Sequence, residues 1–480
     1  MELSPETLSV YRGRVRGCVL AGAIGDALGA QVEFDSIAAI SAPHGDPGLT
    51  GFAAEGGGRV TDDTQLTLFT MEGLMRADIR FTHRGICHVP TVIRHAYLRW
   101  LDTQEHAAPP PARDDHVRNG WLREQKWLYS RRSPGSACLS GLRCEVWEPL
   151  EFDEFAVEGR AGPVNPGSKG CGAVMRSAPF GLLDWSDRAV FELAAECAGI
   201  THGHPTAYLA AGAFAMLIHS LVHSAGLREA VEGVLDRLAT CAGHEETSRA
   251  LRAAVALADR GQPSPERVET LGGGWVAEEA LAISVYCALV EQAPAGHRGA
   301  GFGAYPGITP FQQALLLAVN HSGDSDSTGA MCGNLLGARY GDAVLPGEWL
   351  VRLEGRATIT ELADDFATQM TDGGAAANCE AWFTNYPGLI HSYITGCGPN
   401  APGPGRRPRS EPVNGESRRT PPFVGASHVA GAPRVGIGRL SCRAGSRRSQ
   451  PITCWAAPAE AYPPGCIWCA SGDRGCCWWW

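Results

Sequence analysis

Lysine is almost missing from this chain of 480 residues, where Lys126 and Lys169 stand against 39 arginines. That imbalance reads as G+C-rich coding bias and names no partner. No run of about 18 apolar residues is evident, so no membrane span is expected. The N-terminal stretch MELSPETLSVYRGRVRGCVLAGAIGDALGA is partly apolar, but it is rich in glycine, is interrupted by Asp26 and lacks a plausible cleavage site, which argues against a signal peptide. Sustained apolar–polar alternation is also lacking, which argues against a sheet and leaves an all-α protein. The cysteines before residue 398 are scattered, and several, such as Cys18, Cys197, Cys287 and Cys332, sit in apolar helical runs. They read as buried thiols of a reducing compartment, so a soluble cytoplasmic protein is expected.

Charge divides the chain near Gly396. Residues 398–480 carry eleven arginines against Glu411, Glu416, Glu460 and Asp473, a net of +7, whereas residues 1–397 carry 30 basic and 47 acidic groups, a net of −17. The basic segment is rich in Pro, Gly and Ser and offers no periodic apolar face, so it reads as a disordered tail, or as a non-native extension such as a shifted reading frame. Its Cys466 and Cys469 form a CxxC without a spaced second pair, which is weak support for zinc. A basic arm for nucleic acid stays open on charge alone, but nucleic acid is not expected as a partner. One domain over 1–397 and a tail over 398–480 is the organisation this suggests.

What is present is oxygen chemistry. NHSGDSDSTGAMCGNLLGARYG, residues 320–341, packs Asp324, Asp326, Ser327 and Thr328 into a few positions, a ligand kit suited to magnesium, calcium or manganese. An EF-hand is excluded, because the twelfth position of such a loop needs a bidentate glutamate and here is Leu335. The remaining ligands must come from elsewhere. Behind the acids, Gly329, Gly333 and Gly337 recur at helical spacing and would let that helix approach a neighbour closely.

A second oxygen cluster, Thr61–Asp62–Asp63–Thr64, precedes an apolar helical run. Adjacent helical residues diverge by roughly 100°, so Asp62 and Asp63 share a centre only from the first turn or the loop before it. The alternative reading is that they cap the helix. Upstream, Gly22, Gly25 and Gly29 leave one face of a helix over 15–30 bare; Asp26 lies in that run and Glu33 emerges where it ends. Asp26 reads equally as a cap, a buried hydrogen-bond partner or a functional group. Residues 86–101 and 116–130 read as helices, and 131–141 as a surface loop. The glycine-rich NPGSKGCGAVMRSAP lacks P-loop spacing but leaves backbone N–H groups for oxyanions, and in THGHP the histidines read as capping or buried groups.

Taken in order, GAIGDALGAQVEF, TDDTQLTLF, SKGCGAVMRSAPFG, THGHP and NHSGDSDSTGAMCGNLLGA resemble the ADP-ribosylglycohydrolase family over residues 13–395. The resemblance implies a single compact all-α domain with two Mg2+ ions at its centre, held by Thr61, Asp62, Asp63, Asp324, Asp326 and Ser327, the last standing where the family commonly has threonine. It puts Glu33 on a mobile acidic residue near the metals, His202 on a histidine that contacts the ribose, and Gly170, Cys171 and Gly172 in the loop near the diphosphate. The activity implied is magnesium-dependent hydrolysis of the N- or O-glycosidic bond between ADP-ribose and an acceptor, on a modified protein or a small-molecule conjugate, with Asp63 or Glu33 as the base. Two other readings stand beside it: a two-metal phosphohydrolase acting on the diphosphate, and a catalytically silent crystallin-like relative.

Overall fold

The computed structural model describes residues 4–45, 48–111, 117–156, 158–291, 308–371 and 379–388, with two three-residue strands, Cys454–Ala456 and Ile467–Cys469, that form a two-stranded sheet. The rest of the segment expected to be a disordered tail lies outside the described residues. All the described helices belong to one unit, within residues 1–390.

Helix α1 (Pro5–Gly29) starts at Ser4, whose hydroxyl accepts from Thr7 N, with Pro5 in the first turn. This helix holds five glycines, and each one in its interior costs roughly 1 kcal/mol relative to alanine, so α1 depends on what its bare face meets. That face meets helix α7 (Ser325–Tyr340), and the two form the most extensive helix–helix contact among the described residues. A Cβ added at Gly25 would lie 2.0 Å from Gly329 O, one at Gly29 would lie 2.1 Å from Ser325 O, and one at Gly333 would lie 2.1 Å from Ala21 O. The bare faces of two helices far apart in the chain are therefore each other's partners. Their backbones touch.

Between them come α2 (Asp62–Arg84), α3 (Val89–Glu105), α4 (Asp187–Ala198), α5 (Pro205–Val222) and α6 (Ala277–Glu291). Helices α5 and α6 also pack on α7, which is buried from Ser325 to Ala338 and forms the axis of the core. Helix α5 corrects the expectation that no segment would suit a membrane: its 18 residues have a mean hydropathy of 1.4. Within the protein 89% of that stretch is buried, as befits a core helix.

Two local expectations fail. Of the stretch expected to be helical over 116–130, the described residues 117–130 hold only short 3-10 turns, Leu122–Glu124 and Lys126–Leu128, because Gly120 turns the chain at φ +102° just before them. The stretch read as a surface loop contains instead a helix, Ser136–Arg143, which buries Cys138, Leu139 and Leu142 on one side.

Candidate functional site

Both acidic clusters sit at helix N-termini, where the helix dipole favours negative charge. Thr61 is extended, with φ −106° and ψ −163°, and its hydroxyl accepts from Asp63 N, so α2 opens directly on Asp62 and Asp63. Asp324 precedes α7, fixed by its own N–H on Gly273 O at 2.8 Å, and two residues later Asp326 accepts from Ser327 N at 2.8 Å. The close approach of α1 to α7 brings Asp26 and Glu33 to these clusters.

Asp26 is fully buried and is the hub of the first cluster. Its carboxylate accepts from Thr61 N at 3.0 Å, Thr61 Oγ1 at 2.9 Å and Thr64 N at 3.1 Å, and also from Thr64 Oγ1. Glu33 lies at the rim, receiving the Ser133 hydroxyl at 2.7 Å. Carboxylate oxygens of Glu33, Asp324 and Asp326 approach within 4.8 Å of one another.

Burial and nearby like charge raise the proton affinity of a carboxylate. Burial, then the charge of Asp326, pushes Asp26 up to about 7 and Glu33 up to about 8. The same two causes, in the same order, hold Asp62, Asp63 and Asp324 well above the usual carboxylate range. Asp62 Oδ2 and Asp63 Oδ1 are buried with no hydrogen-bond partner. Ser327 Oγ meets two sulfurs, the Met175 thioether at 3.7 Å, a weak acceptor, and the Cys171 thiol. Unpartnered carboxylate oxygens beside further carboxylates and hydroxyls are what a hard divalent cation would satisfy, so the residues fit one.

The glycine-rich loop borders this group. Cys171 N donates to Trp275 O at 3.1 Å, and Gly170 bridges to Val276. Lys169, one of only two lysines, is clamped by Glu246 at 2.8 Å and by Glu278 at 2.5 Å. Burial, then Asp324 and Asp63, pushes the Cys171 thiol well above its usual range, which leaves it neutral. His202 is buried behind Gly170 and Gly172: a Cβ on either would lie 3.4 Å or 3.3 Å from the ring. His204 is instead the N-cap of α5, accepting from Thr206 N at 3.2 Å. A surface cleft of about 610 Å³ bounded by Leu20, Leu350, Arg356 and Asp364 shares no residue with this site.

Thr61, Asp62, Asp63, Glu33, Asp324, Asp326 and Ser327 thus come together, with Cys171 beside Asp324 and His202 one layer behind the loop. Sequence reasoning missed Ser133 and left the role of Asp26 open. The signal for Asp26 was a carboxylate amid helix-facing glycines, which must find buried donors. Phe34 and Trp275 were also missed: their rings stack at the rim, centroids 5.3 Å apart, with Phe34 at φ +73° and 69% exposed.

A family model described as ADP-ribosylglycohydrolase matches residues 7–376. The ADP-ribosyl-[dinitrogen reductase] glycohydrolase of Rhodospirillum rubrum is 26% identical over 354 residues, covering 71% of this chain and 90% of that protein. The ADP-ribosylhydrolase ARH3 of Mus musculus is 26% identical over 365 residues, covering 71% of this chain and 88% of that protein. A solved ADP-ribosylglycohydrolase-related protein complex covers 76% of this chain and 99% of its own at 25% identity, with a TM-score of 0.43.

Proposed function

This chain belongs to the ADP-ribosylglycohydrolase family, and from that premise we propose that it is a magnesium-dependent hydrolase releasing ADP-ribose from a modified protein side chain or a small-molecule conjugate. The observation that carries the reading is the buried meeting of the α2 and α7 acids with unpartnered oxygens on Asp62 and Asp63. Four buried aspartates, Asp62, Asp63, Asp324 and Asp326, match the charge of two divalent ions, and Thr61 and Ser327 add neutral oxygens to the set. Bound there, the ions would supply fixed positive charge and Lewis acidity beside the sugar.

The chain's own groups then have separate tasks. Asp26 holds Thr61 and Thr64 so that the first turn of α2 keeps its shape. The Gly170–Gly172 turn leaves room for the diphosphate, with His202 behind it. Water adds its oxygen to C1″ as the glycosidic bond breaks through an oxocarbenium-like state; one proton of that water passes to a carboxylate and the acceptor leaves with the bonding pair. Asp63 or Glu33 is the carboxylate that takes that proton, and Glu33 is the one nearer solvent. The described cysteines are all unpaired, which supports a reducing compartment such as the cytoplasm.

The test is a panel of substrates ADP-ribosylated on arginine, serine, a base or acetate, incubated with and without magnesium and read by product mass. ADP-ribose as product supports the proposal. AMP would favour a two-metal phosphohydrolase, and no product from any substrate would favour a silent relative.

A further inference from the structure

Arg176 is 1% exposed, and among the described residues no carboxylate pairs with it. Its Nη2 donates to Thr201 Oγ1 at 2.7 Å, its Nη1 to Cys138 Sγ at 3.4 Å, and its guanidinium lies 4.4 Å from the centre of the Tyr97 ring. A buried cation with only neutral partners is costly. Its placement therefore calls for a reason beyond stability.

The proton inventory supplies one. A guanidinium has donors and no acceptor, so the Thr201 oxygen accepts from Arg176. The hydroxyl proton of Thr201 must turn to another neighbour, and the acceptor at hand is His202 Nδ1 at 2.7 Å. A ring nitrogen that accepts carries no proton, so in the neutral imidazole the proton sits on Nε2. The Nε2 edge overlooks the glycine loop, 3.4 Å from where a Gly170 Cβ would be and 3.5 Å from that of Gly172. Hydrogen bonds to their main chain keep the pair in place: the Asn165 side chain donates through Nδ2 to Thr201 O at 2.8 Å, and His202 N donates to Ala198 O at 3.0 Å. Burial, then Arg176, pushes His202 down to about 3, which keeps the ring neutral at physiological pH.

We infer that Arg176, acting through Thr201, is a positioning residue that holds His202 as its Nε2–H tautomer, so that the ring is a fixed hydrogen-bond donor to an oxygen of ADP-ribose seated over Gly170–Gly172. The inference rests on the proposed substrate, but its core is a proton position that can be read without any substrate.

Isotope-labelled imidazole NMR of the full chain should show a protonated Nε2 and a bare Nδ1 on His202, the resonance being assigned by its loss in His202→Gln. Thr201→Val keeps the shape and removes the hydroxyl; it should give mixed tautomers and weaken ADP-ribose binding, measured by calorimetry with magnesium, about tenfold. Thr201→Ser should restore both. A proton on Nδ1 in the wild type, or an unmixed Nε2–H signal with unchanged affinity in Thr201→Val, overturns the inference. A wild type with the expected tautomer that does not bind ADP-ribose overturns the substrate reading and the donor role together, while leaving the Arg176–Thr201 lock on the tautomer standing.

Discussion

The carboxylate of Asp26 takes both the backbone N–H of Thr61, at 3.0 Å, and its hydroxyl, at 2.9 Å, across 35 residues of sequence. One buried group on α1 thereby sets the orientation of the first residue of the α2 cluster. Asp26→Asn would turn amide hydrogens toward donors and leave at least one of them unsatisfied. Magnesium affinity is expected to fall about ten- to a hundredfold, as for other groups that orient ligands, with helical circular dichroism unchanged. Titration calorimetry checks this, and unaltered affinity would remove Asp26 from the support of the site.

Loss of a proposed ligand should be more severe. Asp62→Asn and Asp326→Asn each remove one anionic oxygen at nearly constant shape, and each is expected to cut turnover at least about a hundredfold. Chelation should abolish wild-type activity and magnesium should restore it, whereas calcium, larger and bound with looser geometry, should restore little. Full activity in excess chelator, or near-normal turnover in either variant, would mean that the ligands are elsewhere.

The contact of α1 with α7 is equally open to test. A methyl group at Gly25 would sit 2.0 Å from Gly329 O, against backbone that has no side chain to swing away. Gly25→Ala is expected to destabilise by about 3 kcal/mol or more, although alanine is the better helix former. Chemical denaturation gives the number, and a neutral or stabilising outcome would contradict the close packing.

Glu196 provides a pH signature away from the site. Burial raises it to about 8, with Phe152 N donating to its Oε1 at 3.2 Å. Below its unfolded value of about 4.5 the group is protonated in both states and contributes nothing to the pH dependence. As pH rises from there towards 8 the unfolded chain ionises while the folded one does not, so stability is lost across that window. Glu196→Gln keeps an acceptor for Phe152 N without ionising. Its advantage over wild type should be near zero at pH 4 and grow to about 1–3 kcal/mol at pH 8, as melting curves at both pH values would show; a constant difference would count against a raised pKa.

Much of the site was legible because its chemistry is local. TDDT and GDSDS each gather oxygen ligands within one helical turn, and helical spacing alone puts both at helix starts, where the structure has them. Gly22, Gly25 and Gly29 announced a bare face by the same periodicity. The short helix Ser136–Arg143 was not legible: its flanks, Pro134 and Gly135, carry strong loop signals, and its helical state follows from burying Cys138, Leu139 and Leu142.

The sequence by itself determined which residue types could bind a hard cation, that the fold would be helical, and that two glycine faces needed close partners. Only the tertiary structure decided that those faces meet each other, because pairing across some 300 residues depends on shape complementarity that no local pattern encodes. From that pairing come the position of Asp26 under Thr61, the crowding that raises the acids, and the reach of Glu33 to Asp324 and Asp326. The path from Arg176 through Thr201 to His202 has the same origin: adjacent residues in a loop acquire a defined proton only when a buried guanidinium from another segment is folded against them.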